Sequence, residues 1–245
     1  VISDVTKLIE LIGSMGVNIT RESESTITFQ AEKINLDFLQ SSEYRRLSNS
    51  IRGALMVAGP LLGRFGKVFV PKPGGDKIGR RRVDTHFIGF KKLGANFEFD
   101  TADSFFTVEA ASLTGAYMHL DEASVTGTAN IIMAAVLAEG RSVIYNAACE
   151  PYIQQLCRML VSMGARIEGI GSNLLTIYGV KELKGCNHQI LPDMIEIGSF
   201  IGMAAMTGSE ITIKDVSYEN LGIIPESFSR LGIKMERIGD DIYIP

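Results

Sequence analysis

Leu160-Val161-Ser162-Met163-Gly164-Ala165-Arg166-Ile167, followed by Leu174-Leu175-Thr176-Ile177-Tyr178, changes period at one glycine. Ahead of Gly164 the apolar residues recur at helical spacing, and beyond it they alternate as strand residues do. Glycine suits that junction because it enters the left-handed backbone region at no steric cost and so stops a helix cleanly. The stretch predicts a helix that delivers the chain into a hairpin. Working outward, the pattern recurs at Leu8 to Gly16 with Val17-Asn18-Ile19 and Thr26-Ile27-Thr28-Phe29, at Phe90 to Gly94 with Phe105-Phe106-Thr107-Val108, and at Phe228 to Gly232 with Asp241-Ile242-Tyr243-Ile244. The glycines Gly16, Gly94, Gly164 and Gly232 lie 78, 70 and 68 residues apart, which is an internal repeat.

Between these hairpins lies a second shared piece, an apolar helix of small residues leading through a glycine to a short β-branched strand. Its copies are Ile51 to Leu62 with Gly66 to Val70, Asn130 to Ala138 with Gly140 to Ile144, and Ile197 to Met206 with Gly208 to Ile213. Helices that are apolar nearly all round belong inside, and their Ala and Gly let neighbouring backbones approach closely. The expected fold is α/β, with buried central helices wrapped by sheets. A doubly wound parallel sheet is the competing layout, but it does not repeat hairpins after each helix. The first copy lacks its apolar helix and strand and the last stops at Pro245, so the sequence reads as a piece of a longer repeat protein.

Chemistry concentrates in Pro71 to His86, where Lys72, Lys77, Arg80, Arg81 and Arg82 stand among glycines. Prolines and glycines there oppose a regular helix or central strand, while backbone N–H groups and forked guanidinium donors suit an anion. Two readings stand: a phosphate-handling loop, or a solvated basic turn. Asp76 and Asp84 among the cations favour the first. Of the histidines His86, His119 and His188, only His86 lies in this segment, and the other two read as structural.

The remaining composition narrows the class. A net charge of -4, with 24 basic and 28 acidic residues and no Trp, points to no nucleic-acid surface, so the local basic cluster is aimed at a small anion. Cys149, Cys157 and Cys186 form no C-x-x-C pair; they read as buried apolar thiols in a reducing cytoplasm, with no zinc site. No signal-peptide pattern is present, and the longest apolar run, Ile131 to Ala138, is far below the roughly 20 residues of a membrane span. Neither secretion nor membrane insertion is expected.

Five segments, in order, carry a resemblance: Arg52-Gly53-Ala54 through Gly59-Pro60-Leu61-Leu62-Gly63-Arg64-Phe65-Gly66; Pro73-Gly74-Gly75-Asp76-Lys77-Ile78-Gly79-Arg80-Arg81-Arg82-Val83-Asp84-Thr85-His86; Ser124 to Asn130; Asn146-Ala147-Ala148-Cys149-Glu150-Pro151; and Leu191-Pro192-Asp193-Met194-Ile195-Glu196-Ile197-Gly198. Together they are similar to the enolpyruvyl transferases, in the UDP-N-acetylglucosamine 1-carboxyvinyltransferase branch that serves bacterial cell-wall peptidoglycan. The related 5-enolpyruvylshikimate-3-phosphate synthases share the fold, but the Pro-Gly-Gly-Asp and Leu-Pro-Asp segments favour the sugar-nucleotide branch. The resemblance implies an inside-out α/β barrel of repeated βαβαββ units, with residues 1–191 binding UDP-N-acetylglucosamine and 192–245 opening a catalytic domain. It implies phosphoenolpyruvate as the second substrate, addition followed by elimination of phosphate, and no metal or organic cofactor.

By resemblance Asp76 stands where the family usually has a cysteine that protonates the enolpyruvyl methylene. Its ordinary pKa of about 3.9 is low for a general acid, so burial or substrate phosphate must raise it. Arg81 matches the loop arginine that engages phosphate and Arg52 the one that helps bind the sugar nucleotide. Arg81, Arg82, Val83, Asp84 and Thr85 match one lining segment of the nucleotide site; Glu122, Ala123, Ser124 and Val125 match another. Ser124 reads equally as a helix N-cap. Glu150 and Asp193 match acidic residues around the reacting centre; the alternative for either one is a helix cap or a hinge salt bridge. Arg82 departs from the usual proline, Glu122 from lysine, and Thr126-Gly127 from Gly-Ala. The family's Lys-Asn pair and its general-base aspartate match nothing here. A non-catalytic sugar-nucleotide-binding module and a plain repeat scaffold are the other readings.

Overall fold

The computed structural model describes residues 2–71, 82–100 and 105–245. The chain divides into two compact units, Val1–Cys186 and Asn187–Pro245. In the first, α1 (Ser3–Ser14) precedes the hairpin β1 (Asn18–Arg21) and β2 (Ile27–Gln30), then α2 (Ser42–Ser48). A 3-10 turn at Arg52–Val57 leads into α3 (Ala58–Phe65), β3 (Lys67–Pro71), α4 (Asp84–Lys92), β4 (Asn96–Asp100) and β5 (Phe105–Glu109). Then come β6 (Tyr117–His119), α5 (Val125–Ala135), β7 (Arg141–Tyr145), α6 (Pro151–Ser162), β8 (Arg166–Glu168) and β9 (Leu174–Tyr178). The second unit holds α7 (Met194–Thr207), β10 (Ile211–Ile213), α8 (Ile224–Arg230), β11 (Glu236–Ile238) and β12 (Asp241–Ile244).

The deciding stretch folds as its periodicity demands. Helix α6 ends at Ser162, Gly164 turns the chain at φ 106°, and β8 pairs antiparallel with β9 so that Ile167 faces Ile177. Gly16, Gly94 and Gly232 make the same turn at φ 102°, 97° and 86°, a region that a side chain enters only under strain.

One complete repeat is present as β6-α5-β7-α6-β8-β9, in sheet order β6-β7-β9-β8. Strand β6 runs parallel to β7, with Tyr117 opposite Val143, and the other pairs are antiparallel. The α-β-α-β-β portion recurs as α3-β3-α4-β4-β5 in sheet order β3-β5-β4, and as α7-β10-α8-β11-β12 in order β10-β12-β11. The expected βαβαββ unit is therefore real, and no doubly wound sheet is formed among the described residues.

Helix α5 sits at the centre of the first unit with Thr128, Ala129, Asn130, Ile131, Ile132, Ala134 and Ala135 buried. Neighbouring helices reach it through glycines: a Cβ on Gly59 of α3 would stand 2.3 Å from the Asn130 carbonyl oxygen, and one on Gly89 of α4 would stand 2.3 Å from Ile131. Each fully buried isoleucine adds about 1.5–3 kcal/mol. Around this centre Val68, Val70 and Val108 of one sheet and Ile144, Leu175 and Ile177 of the other complete the core. The second unit has its own core, Ile197, Ile201 and Ala204 of α7 against Val216, Leu221, Ile242 and Ile244.

Three expectations are corrected. The span from Ile51 is not one helix: Pro60 lacks an N–H and its ring opposes the carbonyl four residues back, so the chain takes a 3-10 turn before α3. Asp84, Thr85 and His86 are not loop but the first turn of α4. Only Cys157 is a buried thiol, with burial pushing its pKa up to about 11; Cys149 is exposed and Cys186 half-buried. No helix among the described residues is long and apolar enough to cross a membrane.

Candidate functional site

The first turns of α4 and α5 and the 3-10 turn before α3 converge in the first unit. The guanidinium of Arg52 donates to the carbonyl oxygen of Arg82 at 3.0 Å, fastening the 3-10 turn to the segment entering α4. Arg82 in turn donates through Nε to Asp84 Oδ2 at 2.9 Å. Asp84, with Glu122 and Asp121 acting from farther off, holds the Arg82 guanidinium pKa above its ordinary value. This ion pair is half exposed and holds its geometry only weakly against a competing anion.

Across from it, Thr85 Oγ1 donates to Glu122 Oε1 at 3.2 Å, which joins α4 to the turn before α5. That turn is closed by Ser124, whose amide donates to the Glu122 carbonyl and whose Oγ accepts from the Gly127 amide at 3.2 Å. The N-cap reading of Ser124 thus holds. A Cβ on Gly127 would lie 2.8 Å from Thr85 Cγ2, so this glycine is what lets the two helix starts meet. Val83 and Val125 pack against the core below, and Ala123 lies in the same turn. Arg52, Arg82, Asp84, Thr85, Glu122 and Ser124 are thereby brought together. Asp76 and Arg81 lie outside the described residues.

Beneath this surface lies a polar cluster that sequence reasoning passed over. Asn130 Nδ2 donates to the Leu55 carbonyl and to His86 Nδ1, each at 2.9 Å, and its Oδ1 accepts from the Gly59 amide at 2.8 Å. Because Nδ1 accepts, the His86 proton sits on Nε2, which donates to Thr126 Oγ1 at 3.2 Å. Burial, and secondly the charge of Arg52, push the His86 pKa down to about 4, so the ring is neutral at physiological pH. His86 is therefore a core histidine. The available signal was Asn130 standing inside an otherwise apolar run, since a buried amide must find partners.

Glu150 precedes α6 without capping it, and its Oε2 is buried with no hydrogen-bond partner among the described residues. The Ala148 amide donates to Thr128 Oγ1 at 3.0 Å, tying the loop that carries Glu150 to α5. Asp193 belongs to the second unit, where its carboxylate caps α7 by accepting from Ile195 and Glu196 amides at 2.8 and 3.3 Å. A cleft of about 320 Å³ in that unit, lined by Tyr218, Glu226, Glu236 and Arg237 among others, contains none of the candidate residues. No cluster able to hold a metal is found among the described residues.

The family model described as EPSP synthase (3-phosphoshikimate 1-carboxyvinyltransferase) matches residues 1–243. The chain belongs to the EPSP synthase family. Within this family it is similar to proteins named UDP-N-acetylglucosamine 1-carboxyvinyltransferase: 63% identical to that of Bacteroides thetaiotaomicron, over 100% of this chain and 56% of the relative, and 59% identical to that of Porphyromonas gingivalis with the same coverage. The chain thus spans about half the length of the curated relatives it matches. The enolpyruvyl transferase NikO from Streptomyces tendae superposes with a TM-score of 0.82 at 17% identity, covering 99% of this chain and 57% of that one. EPSP synthase from Acinetobacter baumannii gives 0.65 at 18%, covering 98% and 56%. At these identities the two structures establish the EPSP-synthase fold.

Proposed function

We propose that the chain is the sugar-nucleotide half of a UDP-N-acetylglucosamine 1-carboxyvinyltransferase, with residues 1–191 forming the nucleotide site and 192–245 opening the catalytic domain. The whole protein transfers the enolpyruvyl group of phosphoenolpyruvate to the 3′-hydroxyl of UDP-N-acetylglucosamine. The single observation that carries this reading is the meeting of Arg52, the Arg82 to Thr85 turn and the Glu122 to Val125 turn at two helix starts. Relatives at 59–63% identity carry that enzyme's name and supply its substrate class.

Helix starts present unpaired N–H groups and the positive end of the helix dipole, which suit a diphosphate. Arg52 and Arg81 add bidentate, permanently charged donors. Asp84 and Glu122 supply acceptors for hydroxyl or imide N–H groups on the nucleoside. Asp76 delivers a proton to the methylene carbon as the sugar oxygen adds to the adjacent carbon. The hydroxyl proton of the sugar is lost in that addition; a proton then leaves the new methyl group as phosphate is expelled, which forms the enol ether. Both substrates are metabolites of the cytoplasm, where we assign the protein.

Calorimetric titration of the intact protein with UDP-N-acetylglucosamine and UDP-glucose tests the binding step, and phosphate release from phosphoenolpyruvate tests transfer. Selective binding with release supports the reading; absence of binding to either nucleotide sugar overturns it. The Asp76 assignment makes a separate prediction. Fosfomycin alkylates a thiolate, which a carboxylate does not replace as a nucleophile, so the intact enzyme is expected to resist it and Asp76→Cys to become sensitive. Covalent labelling of the wild-type loop by fosfomycin would refute the assignment.

A further inference from the structure

Asn130 is fully buried in α5, on the same helix as Ile131, Ile132, Ala134 and Ala135. A position needing only to fill space is served by a residue like those. Asn130 instead uses both amide hydrogens and its carbonyl oxygen on three separate elements: the Leu55 carbonyl in the 3-10 turn, the Gly59 amide in α3 and His86 Nδ1 in α4. Through His86 the cluster returns to Thr126 in the first turn of α5. Hydrogen bonds are directional, so this arrangement fixes both spacing and rotation of the elements it joins.

Those elements are the ones that carry the candidate nucleotide-site residues. Arg52 lies in the same 3-10 turn as Leu55, Asp84 and Thr85 directly precede His86, and Ser124 and Val125 directly precede Thr126. We infer that Asn130, acting partly through His86, is a positioning residue that sets the geometry of Arg52 and of the α4 and α5 starts for ligand, an inference that rests on the proposed nucleotide-binding role. Asn130 touches no ligand itself. Its effect is carried by the backbone of the Arg52 turn and by the imidazole that spaces α4 from α5.

The test compares four variants of the intact protein. Asn130→Asp keeps the shape but sets an acceptor against the Leu55 carbonyl and against His86 Nδ1. His86→Leu removes both ring contacts, His86→Asn restores an acceptor at the Nδ1 position, and Val108→Ala lowers stability in strand β5 outside the cluster. Losing these bonds is expected to raise the Kd for UDP-N-acetylglucosamine about tenfold in Asn130→Asp and His86→Leu, measured well below their melting temperatures. Amide exchange at residues 83–86 and 124–127 is expected to accelerate in the same two variants. His86→Asn stays within about threefold of wild type in Kd, and Val108→Ala loses thermal stability with Kd and exchange at those amides unchanged. Exchange and affinity that track melting temperature alone, whatever the site of substitution, overturn the inference. A wild type that binds no UDP sugar overturns the proposed function instead, and the exchange comparison still decides whether Asn130 positions these turns.

Discussion

Helices α5 and α7 occupy the same place in two copies of one repeat and share an apolar, small-residue composition, yet they are buried to different degrees. Almost every residue of α5 from Gly127 to Ala135 is out of solvent, whereas α7 buries Ile197, Ile201 and Ala204 and leaves Met206 90% exposed, with Phe200 and Met203 over 40% exposed. The difference lies in what each helix meets. Gly59 and Gly63 of α3 bring that helix to backbone contact with α5, and Gly89 of α4 leaves room for the Ile131 side chain of α5. In α7 a Cβ added at Gly198 or Gly202 would lie 3.7 or 3.8 Å from the Phe228 ring, an ordinary contact distance. Close-approach glycines on α3 and α4 let α5 be buried nearly all round in the first unit.

The largest expected effect tests this contrast directly. Ile132→Ala should destabilise the first unit by about 2–5 kcal/mol, because it opens a cavity where nothing can collapse, while Met206→Ala should change the second unit by less than about 0.5 kcal/mol. Native-state hydrogen exchange reads each unit separately, and equal effects would break the comparison.

Next comes pH. The His86 pKa is lowered from 6.5 to about 4 on folding, so its neutral form stabilises the fold fully above pH 6.5. As pH falls from 6.5 to about 4 the unfolded chain takes up a proton that the folded chain refuses, and stability drops by up to roughly 3 kcal/mol. Exchange protection in α4 and α5 measured at pH 7 and pH 4.5 should show the fall in wild type and a smaller one in His86→Asn. Identical slopes would remove His86 as the cause.

The smallest pair changes sign between the helices. Gly59→Ala forces a methyl against the Asn130 carbonyl and should cost about 1–3 kcal/mol, whereas Gly202→Ala has room and should gain up to about 1 kcal/mol from helix propensity. Denaturant melts of the two variants, followed by local exchange, check both directions.

Much of this architecture was legible in the sequence because it rests on local rules. The turn glycines and the switch from helical to strand period marked the hairpins at Gly16, Gly94, Gly164 and Gly232, and all four adopt positive φ. The break at Arg52–Val57 was missed because Pro60 acts on residues ahead of it, inside a run that looks uniformly apolar. At the site, the segments Arg82 to Thr85 and Glu122 to Val125 were named from resemblance, and their convergence came from packing that no local pattern encodes. Asn130 was hidden for the same reason, since its partners Leu55, Gly59 and His86 are 44 to 75 residues away in sequence.

The parallel pairing of β6 with β7 has a consequence for how the chain reaches this state. A hairpin such as β8 with β9 zips from its own turn, but β6 and β7 meet only after the intervening segment has folded back as α5. Closing that crossover costs chain entropy before any strand bond rewards it, so the pair forms late. Pulsed labelling during refolding should find the Val143 amide, which donates to the Ala116 carbonyl, protected after the amides of the β8–β9 hairpin. The central helix is then the latch of its repeat, and a newly made chain carries α5 as exposed apolar surface until that crossover shuts.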